Sequence, residues 1–215
     1  TQAQTAWAPQ RPVTLVVPYN PGGGTDATAR AVASRLSVLW KQPVLVENLG
    51  GADGLIGTRR VIEAAPDGYT LLFQVPSLLL MKYQRSLKAI DPVTRLTPVT
   101  AVATSPTALV MTATLPFKTL PELIAHCRTK PCNAGSGENS SKVRAQKFAA
   151  DYQLRDLAVV NYKGTSPIVG DLVSGNLTMA FTGITAAMPL HKAGRVRILV
   201  TNGERRAQAL PEVPT

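Results

Sequence analysis

The period of the apolar positions changes repeatedly along this 215-residue chain. VTLVV (13–17) is an unbroken β-branched run, the pattern of a strand covered on both faces. Beyond Pro18 and three glycines, Ala29, Val32, Ala33, Leu36 and Trp40 recur at helical spacing, with Thr25 placed to cap the helix. PVLVEN (43–48) predicts a second strand, GGADGLIG a glycine-rich loop, Leu55 to Ala65 a helix stopped by Pro66, and GYTLLFQ (68–74) a third strand. Alternating strands and helices are the order of a parallel sheet with right-handed crossovers.

Residues 76–98, with Pro76, Pro92 and Pro98, read as an irregular crossing into a second unit. There, 99–113 predicts two short strands broken at Ser105-Pro106, 118–129 a helix, and CNAGSG (132–137) a strand running into a turn. Asn139 or Ser140 then caps a helix whose Ala145, Phe148, Ala149 and Tyr152 share a face. A strand at 157–162, a helix closed at Gly175, a strand at 176–181, a helix closed at Gly194 and a strand at 195–200 complete the unit. The expected division is 1–98 for a first α/β domain, 99–201 for a second, and 202–215 for a segment crossing back towards the first. Two such units frame a cleft, and the first, with three clear strands, reads as incomplete.

Composition narrows the function classes. Hydrophobic residues make up 45% of the chain and charged residues 17%, a globular balance. The richest apolar stretch, YTLLFQVPSLLLM, is broken by Gln74 and Pro76 and falls short of the ~20 residues of a membrane span. Net charge is +10, yet the bases are scattered and aromatic residues are 5%, so neither a basic stripe nor a stacking platform points to nucleic acid. A dispersed positive field suits small anionic ligands. Cys127 and Cys132, in HCRTKPCN, are expected to form a local disulfide rather than to stay free thiols, which implies an oxidising compartment. A zinc site needs further ligands, and His126 and His191, the two histidines, do not supply a cluster. TQAQTAWAPQRP reads as a mature terminus left by a cleaved signal peptide, or as an expression scar.

Two turns carry candidate chemistry. Gly22-x-Gly24-x-x-Ala27, with Glu47 ending the next strand, matches a relaxed dinucleotide fingerprint, but Pro18 to Pro21 intervene where a tight turn is needed. The alternative is a loop that delivers N–H groups and a helix start to an anion. Asp26 is then a first-turn acid favoured by the helix dipole, or a ligand contact. NAGSGENSS (133–141) is a matching turn in the second unit, with Ser136, Gly137, Asn139, Ser140 and Ser141 as donors. It fails as a nucleophile site because G-x-S-x-G is absent and neither histidine has an acid beside it. Serine capping and carboxylate binding both remain open for it, while Lys142 and Arg144 read as solvated helix charges.

RPVTLVVPYNPGGGTDATAR, QPVLVEN, AAPDGYTLL, NYKGTSPIVGDLVSGNL and ALPEVPT resemble the periplasmic substrate-binding proteins of tripartite tricarboxylate transporters, the Bug receptors. The resemblance runs from about Arg11 to the last residue. It implies a periplasmic-binding-protein-like α/β fold, a Venus flytrap of two domains with a cleft. It further implies export to the periplasm, no catalysis, no cofactor, and capture of a mono-, di- or tricarboxylate or an amino acid for the membrane permease subunits. In that family the ligand is clamped by the loop after the first strand, here Tyr19, Asn20, Gly22, Gly23, Gly24, Thr25 and Asp26, and by the turn from Ser136 to Ser141. Gln74 and Thr182 join the candidates. The family's chain continues past ALPEVPT into the first domain, so this one is expected to lack a C-terminal part; a monomer is expected of the full-length protein.

Departures from the family are local. Thr182-Gly183 stands where an acid is common, Lys142 where a small residue or His is common, and QVPSLLL replaces a small polar loop. If these side chains face the cleft, they favour a more anionic ligand. Two rival readings stand beside the receptor: a nucleotide-cofactor enzyme domain, and a truncated relative with no small-molecule binding.

Overall fold

In a computed structural model, which describes residues 7–83 and 91–215, the apolar run at 13–17 is a central strand. β1 (Val13–Val17) pairs in parallel with β2 (Val44–Asn48) on one side and β3 (Thr70–Leu72) on the other. The connecting helices are α1 (Gly24–Trp40) and α2 (Leu55–Ile62). α1 buries Ala29 and Ala33 against Val13, Leu15, Val17 and Val44. The right-handed crossover rule puts α2 on the opposite face, towards which the buried Val16 points. A 3-10 stretch (Pro76–Tyr83) and the single turn α3 (Pro92–Arg95) lead onward. The terminal leader and part of the predicted crossing, residues 1–6 and 84–90, lie outside the described residues.

The second unit is a five-stranded sheet in the order β6-β5-β7-β4-β8. Its strands are β4 (Thr107–Thr112), β5 (Cys132–Ser136), β6 (Leu157–Asn161), β7 (Met179–Gly183) and β8 (Val196–Thr201). β4 runs antiparallel to both β7 and β8, while β5 is parallel to β6 and β7. The pleat sends Leu109 and Met111 to one face, under α4 (Leu120–Thr129) and α5 (Asn139–Asp151), where Leu123 and Phe148 meet them. Ala108 and Val110 face the other way, under α6 (Thr165–Ser174) and α7 (Ile184–Lys192), with Ile168, Leu172 and Ala187. Helices on both faces explain why the strand reads as continuously apolar.

Several boundaries differ from the sequence expectation. Gly23, not Thr25, is the N-cap of α1, and no side chain caps it. Glu138, not Asn139 or Ser140, caps α5. One strand rather than two forms from 99–113: Val99 and Val102 are exposed, and among the described residues no strand pairs with them. The strand expected at 176–181 is displaced to Met179–Gly183, because Asn133 of β5 ties down the turn before it through the Asn176 carbonyl and the Thr178 N–H. α2 ends at Ile62 rather than Ala65. The polar tail after β8 forms no helix or strand, yet Leu210 and Val213 are buried in the cluster of Ile168, Leu172 and Ile198. The Thr201 N–H also donates to Pro214 O at 2.9 Å.

Cys127 and Cys132 are bridged, with Cα atoms 5.5 Å apart, closing the link from α4 to β5. Both residues are buried in the core under α4.

Two outcomes test this architecture. Alkylation should label neither cysteine until the protein is reduced and unfolded, which mass measurement reads directly. Leu210→Ala should lower the unfolding free energy by about 2–5 kcal/mol in a denaturant titration, the cost of a core truncation. A change below about 0.5 kcal/mol, usual for a surface substitution, would show that the tail is not seated.

Candidate functional site

In open α/β sheets, polar backbone at the carboxyl ends of the strands faces a crevice. Here the crevice lies between the two units. A cavity of about 260 Å³ is lined by Pro18 and Tyr19 after β1, by Gly51 to Gly54 before α2, by Gly137 after β5, and by Asn161, Tyr162 and Lys163 at the end of β6. The Asn20 N–H donates to Lys163 O at 3.0 Å and ties the two walls together. The approach is close enough to demand glycine. A Cβ on Gly137 would stand 2.8 Å from the carbonyl carbon of Gly164, and Gly164, at φ +116°, sits against Tyr19 and Asn20 in turn.

Both predicted anion turns hold an anion, and in each case it is the chain's own carboxylate. In the first, Asp26 is almost fully buried and its Oδ2 accepts the Gly22 N–H at 2.9 Å and Arg30 Nε at 3.0 Å. Asn48 Nδ2 donates to Asp26 Oδ1 at 3.0 Å and to Tyr19 O at 3.2 Å. Burial opposes the charge, but the Arg30, Gly22 and Asn48 donors outweigh it and hold the carboxyl below its ordinary range. In the second, the Glu138 carboxylate accepts the N–H groups of Ser140 and Ser141, each at 2.8 Å, and Ser140 Oγ at 2.7 Å. The hydroxyls of Ser136 and Ser141, both buried, donate to Glu138 O.

Tyr19 is the polar centre of the first wall. Its hydroxyl donates to Gln74 Oε1, and Ser77 Oγ lies 3.3 Å from the same oxygen. Burial pushes the Tyr19 phenol far up, with the Glu138 charge adding to the effect against the opposing Ser77 and Gln74 hydrogen bonds, so it stays protonated. On the second wall Tyr162 donates to Asp171 Oδ2 at 2.6 Å, and burial together with that carboxylate pushes its phenol up to about 12. Gln74 Oε1 also accepts the Val75 N–H at 2.8 Å, which fixes the amide orientation and leaves Nε2 as a donor. Among the described residues, three buried side-chain polar atoms have no hydrogen-bond partner: Gln74 Nε2, Asn139 Nδ2 and Thr201 Oγ1. Gln74 Nε2 reaches the cavity wall, lying 2.9 Å from where a Gly54 Cβ would stand.

The family model described as "Tripartite tricarboxylate transporter family receptor" matches residues 28–215. The chain belongs to this family. Protein BugT of Bordetella pertussis (strain Tohama I) is 34% identical over 96% of this chain and 65% of BugT. The periplasmic binding protein BugD superposes with a TM-score of 0.91 at 27% identity, over 96% of this chain and 70% of BugD. The R. palustris protein Rpa4515, solved with adipate, gives 0.90 at 31% identity, over 96% of this chain and 71% of that one. The chain thus spans about 65% of the length of the curated relatives it matches. The architecture is that of the periplasmic binding proteins, and the family is one of receptors, not enzymes. The dinucleotide reading of Gly22, Gly24 and Ala27 falls with it: the Gly22 N–H that would serve a pyrophosphate is held by Asp26.

Within this receptor-family frame the predicted residues divide. Tyr19 and Gly137 line the cavity, Asn20 bridges its walls, and Gln74 and Asn139 hold the unpartnered amides. Gly22 and Gly23 pack instead on Thr165 and Ser166 at the start of α6, and Gly24 on Thr185 of α7, with Thr25 in the first turn of α1. Asp26, Ser136, Ser140 and Ser141 are engaged in the internal networks described above. Thr182 is buried in β7 opposite Ala108 and does not line the cavity, nor does Lys142. Sequence reasoning passed over Gly51 to Gly54 and Asn161 to Lys163. The available signal was their position: each set follows a parallel strand at its carboxyl end.

Asp26 makes a pH prediction. Its folded-state pKa lies below the ordinary 3.8, so the stability it contributes is complete above that value and is lost as the pH falls through the folded pKa. Asp26→Asn should cost about 1.5–3 kcal/mol at neutral pH, the range for a charge-assisted hydrogen bond. It should also flatten the loss of stability seen in the parent between about pH 5 and pH 2. Thermal unfolding across that range reads both effects.

Proposed function

We propose that this chain forms the ligand cleft of a periplasmic receptor that captures a small carboxylate between its two α/β units and presents it to the permease subunits of a tripartite transporter. One observation carries the reading. Gln74 Nε2, from the first unit, and Asn139 Nδ2, from the second, are buried donors without partners. Buried N–H groups cost free energy when unpaired, so they call for an acceptor. Gln74 Nε2 abuts the cavity-lining Gly54, Asn139 follows two residues after the cavity-lining Gly137, and a ligand carboxylate is the acceptor this reading assigns to them. The size of the cavity, about 260 Å³, suits a ligand of a few carbons, the size range of the adipate with which the R. palustris relative was solved. The Asn20–Lys163 bridge joins the two walls between which such a ligand would sit.

Calorimetric titration with a panel of mono-, di- and tricarboxylates tests the reading, with nucleotides as the contrast. Asn139→Ala should weaken binding of the best carboxylate about tenfold, the equivalent of one charge-assisted hydrogen bond. It should leave unfolding stability unchanged or slightly raised, because it removes an unpaired buried donor. Binding of the acid undiminished in that variant would remove Asn139 from the site. Shifts with nucleotides and none with carboxylates would overturn the receptor reading.

A further inference from the structure

We propose that Glu138 sets the charge selectivity of the cleft, excluding ligands with more than one carboxylate in favour of those whose far end is neutral or cationic. The inference rests on the receptor reading above. The Ser-Gly turn at the head of α5 is the part of the second wall best supplied with donors, and Glu138 has consumed them. Its two oxygens take the N–H groups of Ser140 and Ser141 and the Ser140 hydroxyl. Its backbone carbonyl takes the hydroxyls of Ser136 and Ser141. What is left to a ligand there is the amide of Asn139.

The charge of Glu138 is also not cancelled by a cation. Among the described residues no Lys or Arg nitrogen lies within ion-pair distance of it. Arg144 is one bond removed, donating to Ser140 Oγ at 2.8 Å rather than to the carboxylate. Lys163 lines the cavity, but so does Asp53, so the lining itself adds no net positive charge. Glu138 follows the cavity-lining Gly137, whose turn packs on Gly164 against Tyr19 of the first wall, and its charge adds to the rise of the Tyr19 phenol. A first ligand carboxylate can use Gln74 and Asn139. A second would enter a partly desolvated space beside an uncompensated carboxylate, where like charges disfavour each other strongly. Thr182 and Lys142, which favoured a more anionic ligand by sequence, do not reach the cavity.

The test holds chain length constant and varies only the far end. At two lengths, four and six carbons, the 215-residue chain is titrated with the simple monocarboxylate, the dicarboxylate and the ω-amino acid. Glu138→Gln keeps an acceptor oxygen for the cap of α5 and removes the charge; Glu138→Asp keeps the charge on a residue that caps well. The parent and Glu138→Asp should bind the ω-amino acid or the monocarboxylate in preference to the dicarboxylate. Glu138→Gln should shift the ratio of dicarboxylate to ω-amino-acid affinity by at least about tenfold towards the dicarboxylate. A ratio that moves less than about twofold, or a parent that prefers the dicarboxylate, overturns the assignment while leaving the receptor reading intact. Failure of every acid to bind to parent and variants alike overturns the receptor reading, and this inference with it.

Discussion

Asp26 gathers a loop around itself, and the position of the first wall depends on it. The Gly22 N–H, Arg30 and Asn48 converge on one buried carboxylate, and Asn48 passes the restraint on to the carbonyl of Tyr19. Such donors could not be left unpaired at a buried helix start, and an internal acid is the most local way to satisfy them. With Tyr19 and Asn20 held, the Asn20 N–H can reach Lys163 O, and the two units meet at a fixed separation. The cavity is what remains between the strand ends once that separation is set.

The same device recurs in the second unit, with Glu138 in the place of Asp26. The two are not equivalent in consequence. Asp26 has Arg30 beside it and faces inward, so its charge is spent on stability. Among the described residues the Glu138 carboxylate meets N–H and hydroxyl donors and no Lys or Arg within ion-pair distance, so its charge is not cancelled in the same way. A glycine-rich or serine-rich turn before a helix therefore does not announce an external anion. The question is whether the chain carries an acid within reach of those N–H groups.

Glycine has a different role here from the one its abundance suggests. Gly22 to Gly24 pack against Thr165, Ser166 and Thr185 of the other unit, so the small residues serve the approach of one wall to the other. Gly137 and Gly164 do the same where two turns of the second unit cross beneath Tyr19. The amides of Gln74 and Asn139 remain buried without a partner among the described residues.

Local pattern was enough for the alternation of strands and helices, the α/β class of fold and the closely spaced cysteine pair. These follow from hydrophobic period, capping residues and chain proximity, which are properties of neighbours in sequence. Val99 and Val102 show where that logic ends: they have strand-forming side chains but no strand to pair with, and pairing is a tertiary matter. The tail shows the same limit, since its few apolar residues, Leu210 and Val213, gain burial from a core laid down by residues far earlier in the chain. Both turns were legible as donor-rich helix entries, but not the internal acid that each one holds. Asp26 and Glu138 look alike in sequence, each an acid at a helix start. Arg30 meets Asp26 one turn along the same helix, which spacing alone allows. The Asn48 donor to Asp26 and the crossing of the Gly137 turn with Gly164 beside Tyr19 are contacts across elements, and those the tertiary structure alone decides.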